Sequence, residues 1–298
     1  MIDNVCGYFK NECSEFNKQP EHPIEYLGLI WKPMGHKNGY SYRTFINDFQ
    51  LRMSGEKISF SQSFHKYYHG NNYSDFTFPE LKQMIDEIDN ILEGKFRHSV
   101  ISNIEFGVNV TIDKPIEKQF SHHKSRPVYD MNAKNKVYGK KAAYGEYQIK
   151  LYNKYKESKW NKNPDRFTPS VKCSSINLKR FEISMKRKKL PNAFTRFNYH
   201  RIYNLESKAY MKELKMILLK NIDLMHFDPI NSFDSLRSYT AYSRLTHLNE
   251  YLPYKVEHKS TYKQDRRLIN SIKKLESKEQ NELLKGLVST KCDELINS

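Results

Sequence analysis

The feature of this sequence that most directly suggests chemistry is a tyrosine that lies between two lysines. In residues 148–154, QIKLYNK, Ile149 and Leu151 share one parity, whereas Lys150, Tyr152 and Lys154 share the other. A strand with this alternation buries the apolar pair and presents Tyr152 on the opposite, half-solvated face between two cations. Such a tyrosine suits two uses: a platform on which nucleic-acid bases stack, or a nucleophile that attacks a phosphate.

Two other segments predict strands with an equally unusual polar face. In residues 102–112, SNIEFGVNVTI, the polar parity carries Glu105 and Asn109. In residues 178–186, LKRFEISMK, it carries Arg180, Glu182 and Lys186. Neighbouring strands lie about 4.8 Å apart, so adjacent positions in one sheet would bring these carboxylates and the tyrosine within reach of one metal-bound phosphate.

This set of side chains matches the requirements of a phosphate-transfer site. Glu105, Asn109 and Glu182 offer the oxygen ligands that Mg²⁺ or Mn²⁺ prefers. A phenol with a pKa near 10 is a poor nucleophile, and we expect the flanking lysines to favour the phenolate. Two plainer interpretations stay open: Tyr152 as a surface aromatic, and Arg180 with Glu182 as a surface ion pair that contributes little stability.

The net charge of the chain favours a polyanionic partner. The 298 residues include 50 Lys+Arg and 34 Asp+Glu, which gives a formal net charge of +16. Residues 114–159 alone hold 12 Lys+Arg, including Lys140 and Lys141, against 4 acids, and a second cluster begins at Lys186. Nucleic acid is the usual partner of such a charge, and tyrosines 138, 144 and 147 between the lysines are candidates for base stacking. A basic protein without a nucleic-acid partner is the alternative.

Other features of the sequence restrict where the chain works. No run approaches the roughly 18 apolar residues of a membrane span, and the first residues lack the basic-then-apolar order of a signal peptide. The four cysteines form no CxxC pair, which argues against a zinc ribbon. We therefore expect reduced thiols, no membrane association and a cytoplasmic location.

The order of the elements predicts an α+β protein. The first fifty residues read as irregular, residues 57–70 as a strand ending at a Gly-Asn-Asn turn, and residues 78–92 as a helix with Pro79 in its first turn. Helical spacing dominates after about residue 200. The predicted division is a catalytic domain over 1–200 and a helical region over 201–298.

The histidines give no metal site by this interpretation. On the predicted strand, His65 and His69 lie about 13 Å apart on one face, and the adjacent His122 and His123 point to opposite faces. Neither pair can then share an ion.

Three of these segments, in this order, resemble the blocks of Rep_trans-type replication initiation factors, which act on rolling-circle plasmids and phages and are related to conjugative relaxases. NIEFGVN resembles the first block, with Glu105 and Asn109 at its acidic positions. LYNKYKE resembles the second, with Tyr152, Lys154 and Glu157, and RFEIS resembles the third. Asn109 and Asn153 replace acids that the family pattern carries.

The resemblance implies an HUH-related antiparallel sheet with flanking helices and a metal-dependent nicking-joining endonuclease, in which Mg²⁺ or Mn²⁺ is the cofactor. Tyr152 would be the nucleophile with Lys154 beside it, and the metal ligands would be Glu105, Asn109 and Glu182, with Glu157 as an additional acid. The residues expected to bind DNA are Lys150, Arg180, Lys186, Lys140 and Lys141. The implied partner is single-stranded or hairpin origin DNA in a bacterial host cell.

Two alternatives and several partners stay open at this point. A relaxase with the same chemistry, and a non-catalytic winged-helix initiator or repressor that binds duplex DNA, are both compatible with the sequence. A host helicase, a host polymerase and a second copy of the chain are further partners that the resemblance leaves open.

Overall fold

The computed structural model describes residues 1–12, 22–34, 41–160, 177–194, 197, 200–228 and 259–298. Its strands are β1 Ile2–Lys10, β2 Ile24–Tyr26, β3 Leu29–Pro33, β4 Tyr42–Ile46, β5 Phe49–Ser54, β6 Lys57–Ser63, β7 Val100–Thr111, β8 Phe120–His123, β9 Arg126–Pro127, β10 Tyr129–Ala133, β11 Lys136–Ala143, β12 Tyr147–Asn153, β13 Leu178–Lys186 and β14 Met225–Phe227. Its helices are α1 Phe64–His69, α2 Phe78–Ile91, α3 Ile116–Gln119, α4 Lys154–Trp160, α5 Leu190–Ala193, a 3-10 helix Ile202–Glu206, α6 Lys208–Ile222 and α7 Lys259–Asn297.

One large antiparallel sheet dominates the described residues, which agrees with the α+β prediction. Its eleven strands follow the order β10-β11-β12-β13-β7-β1-β6-β5-β4-β3-β2. A second sheet of three strands has the order β14-β8-β9. The three strands singled out from the sequence, β7, β12 and β13, are neighbours near the middle of the large sheet, and β1 lies next to β7.

The large sheet has one apolar face and one polar face because its strands alternate with period two. Buried side chains on the apolar face include Phe106, Val108, Ile149, Leu151 and Phe181. They belong to one continuous hydrophobic core that also takes in residues of α2, α6 and α7. The helices after residue 200 therefore pack on the same core as the sheet; the division at residue 200 stays a prediction.

Two sequence-based expectations about elements are wrong. The described part of the first fifty residues is not irregular: it supplies β1 to β4, with Tyr42, Thr44 and Ile46 buried in strict alternation. The strand predicted over 57–70 ends at Ser63, whose hydroxyl accepts from Lys66 N and caps α1. A serine cap outweighs the strand pattern there, because it satisfies a backbone N–H at the helix start.

The helix over residues 78–92 is confirmed as α2, which begins with a capping box between Thr77 and Glu80 and has Pro79 in its first turn. None of the helices in the described part of the chain is long and apolar enough to span a membrane. Cys6 and Cys292 are free thiols, whereas Cys13 and Cys173 lie outside the described residues.

Candidate functional site

The polar residues of the three neighbouring strands lie in direct register on one face. Across β12, β13 and β7, Tyr152 pairs with Arg180, and Arg180 with Asn109. One step along the strands, Lys150 pairs with Glu182, and Glu182 with Gly107. The expectation that these strands share a polar face is therefore confirmed.

Two glycines allow the strands to approach closely at this point. A Cβ atom on Gly139 of β11 would stand 2.1 Å from Cβ of its register partner Tyr152. A Cβ atom on Gly107 would stand 2.2 Å from the carbonyl oxygen of Phe181. Any larger residue would separate the strands, so both glycines preserve the spacing on which the site depends.

Arg180 is the centre of a buried hydrogen-bond network. Its Nε donates to Glu182 Oε2 (2.8 Å), its Nη1 to Asn109 Oδ1 (3.0 Å) and its Nη2 to Asp3 Oδ2 (3.0 Å). This burial rules out the plainer interpretation of Arg180 and Glu182 as a surface ion pair, whereas contact of Arg180 with DNA stays a prediction. The guanidinium is committed to three acceptors inside the protein and orients them.

Asp3 is a site residue that the sequence interpretation missed. One carboxylate oxygen from each of Asp3, Glu105 and Glu182 lies within 4.8 Å of the others. Asp3 reaches this position because β1 pairs with β7 and is irregular between Ile2 and Asn4. Its Oδ1 also accepts from the hydroxyl of Ser63 (2.7 Å). The missed signal was the strand pattern of residues 2–10, in which the buried Val5 and Phe9 alternate with less buried residues. The bulge at its start brings Asp3 to the polar face.

Three acidic groups would be suitable ligands for a hard divalent cation, and the set differs from the expected one. Asn109 was expected as a ligand, yet its Oδ1 accepts from Arg180 and its Nδ2 donates to the carbonyl oxygen of Tyr73 (3.2 Å). Asp3 stands with Glu105 and Glu182, and Asn109 as a metal ligand stays a prediction. The donor chemistry of three carboxylates fits Mg²⁺ or Mn²⁺.

Lys150 bridges two of the carboxylates. Its Nζ donates to Glu105 Oε2 (2.6 Å) and to Glu182 Oε1 (2.7 Å). Three carboxylates thus contact two cationic side chains, Lys150 and Arg180, so one negative charge is in excess when all three carboxylates are ionised. Lys150 was expected to bind DNA, but in this arrangement its ammonium group neutralises the acidic cluster.

The two glutamates respond differently to these surroundings. Burial and the neighbouring Glu182 raise the pKa of Glu105 to about 7, against the opposing effect of Lys150. Burial alone would raise the pKa of Glu182 as well, but Lys150 and Arg180 hold that pKa below its ordinary value. Glu182 is therefore the ionised member of the pair, and Glu105 is the member that takes up a proton near neutrality.

Tyr152 lies inside the protein and not on a half-solvated face. Only 5% of the residue is exposed, and its hydroxyl donates to Glu182 Oε2 (3.2 Å). Burial and the carboxylate of Glu182 raise its pKa well above 10. The expectation that neighbouring lysines favour the phenolate is therefore wrong for this state of the protein, because burial and the carboxylate of Glu182 outweigh the cations around the hydroxyl.

Strand β12 ends at Asn153, one residue after Tyr152, and helix α4 begins at Lys154. Asn153 Oδ1 accepts from Lys156 N (2.9 Å) as an N-cap does. Lys154 is buried with its Nζ 5.6 Å from the centre of the Tyr152 ring and 2.9 Å from Glu157 Oε2. Tyr155 lies on the same helix, and Lys159 Nζ is 5.8 Å from the centre of its ring. Glu157 binds Lys154 and lies outside the acidic cluster.

The other basic residues expected at DNA lie toward the surface. Lys140 and Lys141 of β11 are half-buried, and Lys186 at the end of β13 is exposed. Tyr144 and Tyr147 stack on each other (4.3 Å between ring centres), with Arg126 5.0 Å from the Tyr144 ring and Lys189 5.6 Å from the Tyr147 ring. Tyr138 meets Tyr152 edge-on. These half-buried tyrosines pack against neighbouring side chains, and base stacking by them stays a prediction.

The positions of the histidines agree only in part with those predicted from the sequence. His122 is exposed and His123 is buried, as opposite faces of a strand require. His65 and His69 lie on consecutive turns of α1 with ring centres 5.5 Å apart, so the 13 Å separation was wrong. His65 stacks on Phe76 (5.3 Å), and burial lowers its pKa to about 2, which keeps it neutral beside the acidic cluster.

No protein-family model matches this chain, and no curated protein matches it.

Proposed function

We propose that this protein is a metal-dependent DNA nicking-joining enzyme that initiates rolling-circle replication. One observation carries the proposal: four adjacent strands place three carboxylates within 4.8 Å of one another and a tyrosine hydroxyl 3.2 Å from one of them. The whole chain has a net charge of +16, so a buried cluster of three acidic residues is unusual in it. Buried groups with perturbed pKa values and specific partners are common at functional sites.

The chemistry assigns a role to each side chain. The Tyr152 oxygen forms a bond to phosphorus, the bond from phosphorus to the 3′ oxygen breaks, and the product is a 5′-phosphotyrosine with a free 3′-OH. Glu182 accepts the phenol proton through its existing hydrogen bond, and the leaving 3′ oxygen takes a proton from water. A divalent cation at Asp3, Glu105 and Glu182 would supply charge neutralisation of the phosphate. The reverse reaction rejoins the strand.

Access to the site lies at the Glu105 side. The side chains of Glu105 and Lys150 keep 20% and 18% of their surface exposed, whereas that of Glu182 keeps 2%. An incoming phosphate would therefore meet Lys150 first, and a cation bound by the acids would take over the neutralisation that Lys150 provides. Freed in this way, Lys150 could contact the phosphate, which would reconcile its present ion pairs with the role in DNA binding predicted from the sequence.

Formation of a covalent DNA adduct tests the proposal. The protein is incubated with single-stranded origin oligonucleotides and Mn²⁺, resolved on a denaturing gel, and the linked peptide is identified by mass spectrometry. We expect an adduct on Tyr152 that disappears in Tyr152→Phe and persists in the control Tyr155→Phe. Asp3→Asn and Glu182→Gln should lose the adduct and retain most DNA binding. Full activity of these two variants, or in chelator, would contradict the metal role.

A non-catalytic DNA-binding initiator or repressor is the second candidate, and the burial of Tyr152 favours it. In that case the charge network is structural. No adduct under any metal condition, together with unchanged DNA binding by Tyr152→Phe, would select this candidate. A relaxase shares the nicking chemistry, so the adduct assay cannot separate it; replication of an origin plasmid in cells that contain the protein does.

A further inference from the structure

A row of cations crosses the polar face of the sheet at the end remote from Tyr152. Lys32 of β3 pairs with Arg43 of β4, and Arg43 pairs with Arg52 of β5. All three side chains are exposed. Like charges directly opposite each other on neighbouring strands are destabilising. Such a register suggests contact with an anion, because an anion would relieve the repulsion between neighbouring cations.

Acidic residues do not offset this row within its own strands. Strands β3 to β6 read LIWKP, YRTFI, FQLRMS and KISFSQS, and contain neither aspartate nor glutamate. Arg52 donates to Gln50 Oε1 on its own strand (2.9 and 2.6 Å), which holds the guanidinium along the sheet surface. On the edge strand β2, Glu25 pairs with Ile30, two residues before Lys32, so one acid stands at the β3 end of the row.

Exposed apolar side chains flank the cations on the same face. Phe45 lies two residues after Arg43 and is 49% exposed, and Ile30 lies two residues before Lys32 and is 64% exposed. The opposite parity of β4, Tyr42, Thr44 and Ile46, is buried. An aromatic ring beside cations on an exposed antiparallel sheet is the combination that binds unpaired bases and their phosphates, because the base stacks while the cations contact the backbone.

The row continues toward the candidate active site. Arg52 pairs with Ser59 of β6, and Ser59 with Tyr8 of β1. The Tyr8 ring lies 5.1 Å from Lys57 Nζ, and its hydroxyl accepts from Arg187 (2.8 Å). From β5 to β12 there are five strand steps, roughly 24 Å at the usual strand spacing. A single strand lying across the sheet would span this distance with a few nucleotides.

We propose that the exposed face of β3, β4 and β5 binds single-stranded nucleic acid, with Lys32, Arg43 and Arg52 on consecutive phosphates and Phe45 under a base. This surface differs from the basic segment 114–159 that the sequence singled out. The proposal does not depend on nicking chemistry: the surface holds the strand whether or not Tyr152 reacts with it.

Binding of labelled oligo(dT) tests the surface, measured by fluorescence anisotropy in chelator and in the Tyr152→Phe background, where no cleavage occurs. The test variant is Lys32→Gln/Arg43→Gln/Arg52→Gln. A matched control, Arg266→Gln/Arg267→Gln/Lys274→Gln, removes the same charge from exposed positions of α7. We expect at least tenfold weaker binding for the test variant and less than threefold for the control. The log–log salt slope should shrink by about 2, since each phosphate contact on a single strand contributes about 0.7.

Phe45→Leu separates stacking from charge. It keeps an apolar side chain but removes the ring, and we expect binding to weaken at least fivefold with an unchanged salt slope. Circular dichroism of every variant checks the fold. Equal losses in the two triple variants, or full binding by the test variant, would overturn the proposal. So would binding to phosphatidylserine vesicles that the test variant loses while it keeps oligo(dT) binding. Because catalysis is absent from this assay, its outcome is independent of the adduct experiment.

Discussion

Arg180 and Arg43 stand on the same face of the same sheet, and their surroundings are opposite. Arg180 is buried and bonded to three acceptors, whereas Arg43 is exposed between two other cations. In the strands that carry them, successive side chains alternate between the two faces of the sheet with the same period of two residues. The difference arises from what packs near each end: on the Arg180 side, α1 contacts β1, α4 contacts β13, and the loop carbonyl of Tyr73 accepts from Asn109.

The extent of burial thus determines which role a row of charged residues can have. Under the covering elements, each cation must be matched by an acid or an amide oxygen, because an unpaired buried charge is costly. On the open end the solvent screens the charges, and a like-charged row is tolerated. The covered end suits positioning of reactive groups, and the open end suits contact with a polyanion.

Removal of Arg180 should give the largest change in stability. Arg180→Met leaves the carboxylates of Asp3 and Glu182 without their common partner, and we expect a loss of about 3–5 kcal/mol in the free energy of unfolding. Urea denaturation measures the loss. Arg43→Met is the matched control and should leave the midpoint nearly unchanged. Similar losses in the two variants would show that burial does not distinguish the two ends.

The pH dependence of stability probes the covered end more finely. The pKa of Glu105 is about 7 in the folded protein against an ordinary value of 4.5. The folded state therefore binds more protons than the unfolded chain between these values, so the free energy of unfolding should decrease as the pH rises from 4.5 to 7. We expect this group to contribute a decrease on the order of 1–3 kcal/mol.

Glu105→Gln is the control for this pH dependence. The amide resembles the protonated carboxyl, so the free energy of unfolding of the variant should change less with pH than that of the wild type. Above pH 7, the variant should have lost less of its low-pH stability than the wild type. Denaturation at several pH values makes the comparison. A profile with the same slope in both proteins would mean that another group titrates in this window.

The sequence predicted the strands of the covered end because its alternation is strong. Ile149 and Leu151 in β12, and Phe181 and Ile183 in β13, have the period that a half-buried strand requires. The pattern could not predict that α1 and α4 close over the polar face, since burial of a polar residue depends on elements distant in sequence. That is why Arg180 and Tyr152 were expected to be exposed.

Asp3 and the open end were missed for different physical reasons. The register of β1 shifts between Ile2 and Asn4, so Asp3 reaches Arg180 on the polar face although it shares its parity with the buried Val5 and Phe9. Strands β3 and β4 are only five residues long each, and their turn-rich surroundings obscured them. The cationic row exists only in the register between three strands, and no single segment contains it.

Loss of the tyrosine hydroxyl should have a smaller effect on stability. Tyr152→Phe removes the hydrogen bond to Glu182 Oε2 and keeps the ring between Tyr138 and Lys154. We expect a loss of about 0.5–1.5 kcal/mol, the usual contribution of one hydrogen bond. Tyr155→Phe is the control and should change less. A much larger loss in Tyr152→Phe would mean that the hydroxyl organises the whole network.

The smallest effect, and the one of opposite sign, is expected at the open end. Arg43 lies between Lys32 and Arg52, so Arg43→Gln removes repulsion with both neighbours at once. The thermal midpoint should rise slightly at low ionic strength. Because these side chains are exposed, the increase should vanish at about 1 M salt, where the screening length falls to roughly 3 Å. Arg180→Gln, measured in parallel, should be strongly destabilised at both salt concentrations, since its partners are buried with it. A decrease in the midpoint of Arg43→Gln at low salt would show that Arg43 has a stabilising role in the folded protein, and the contrast between the two ends of the sheet would then fail at the residue on which it most depends.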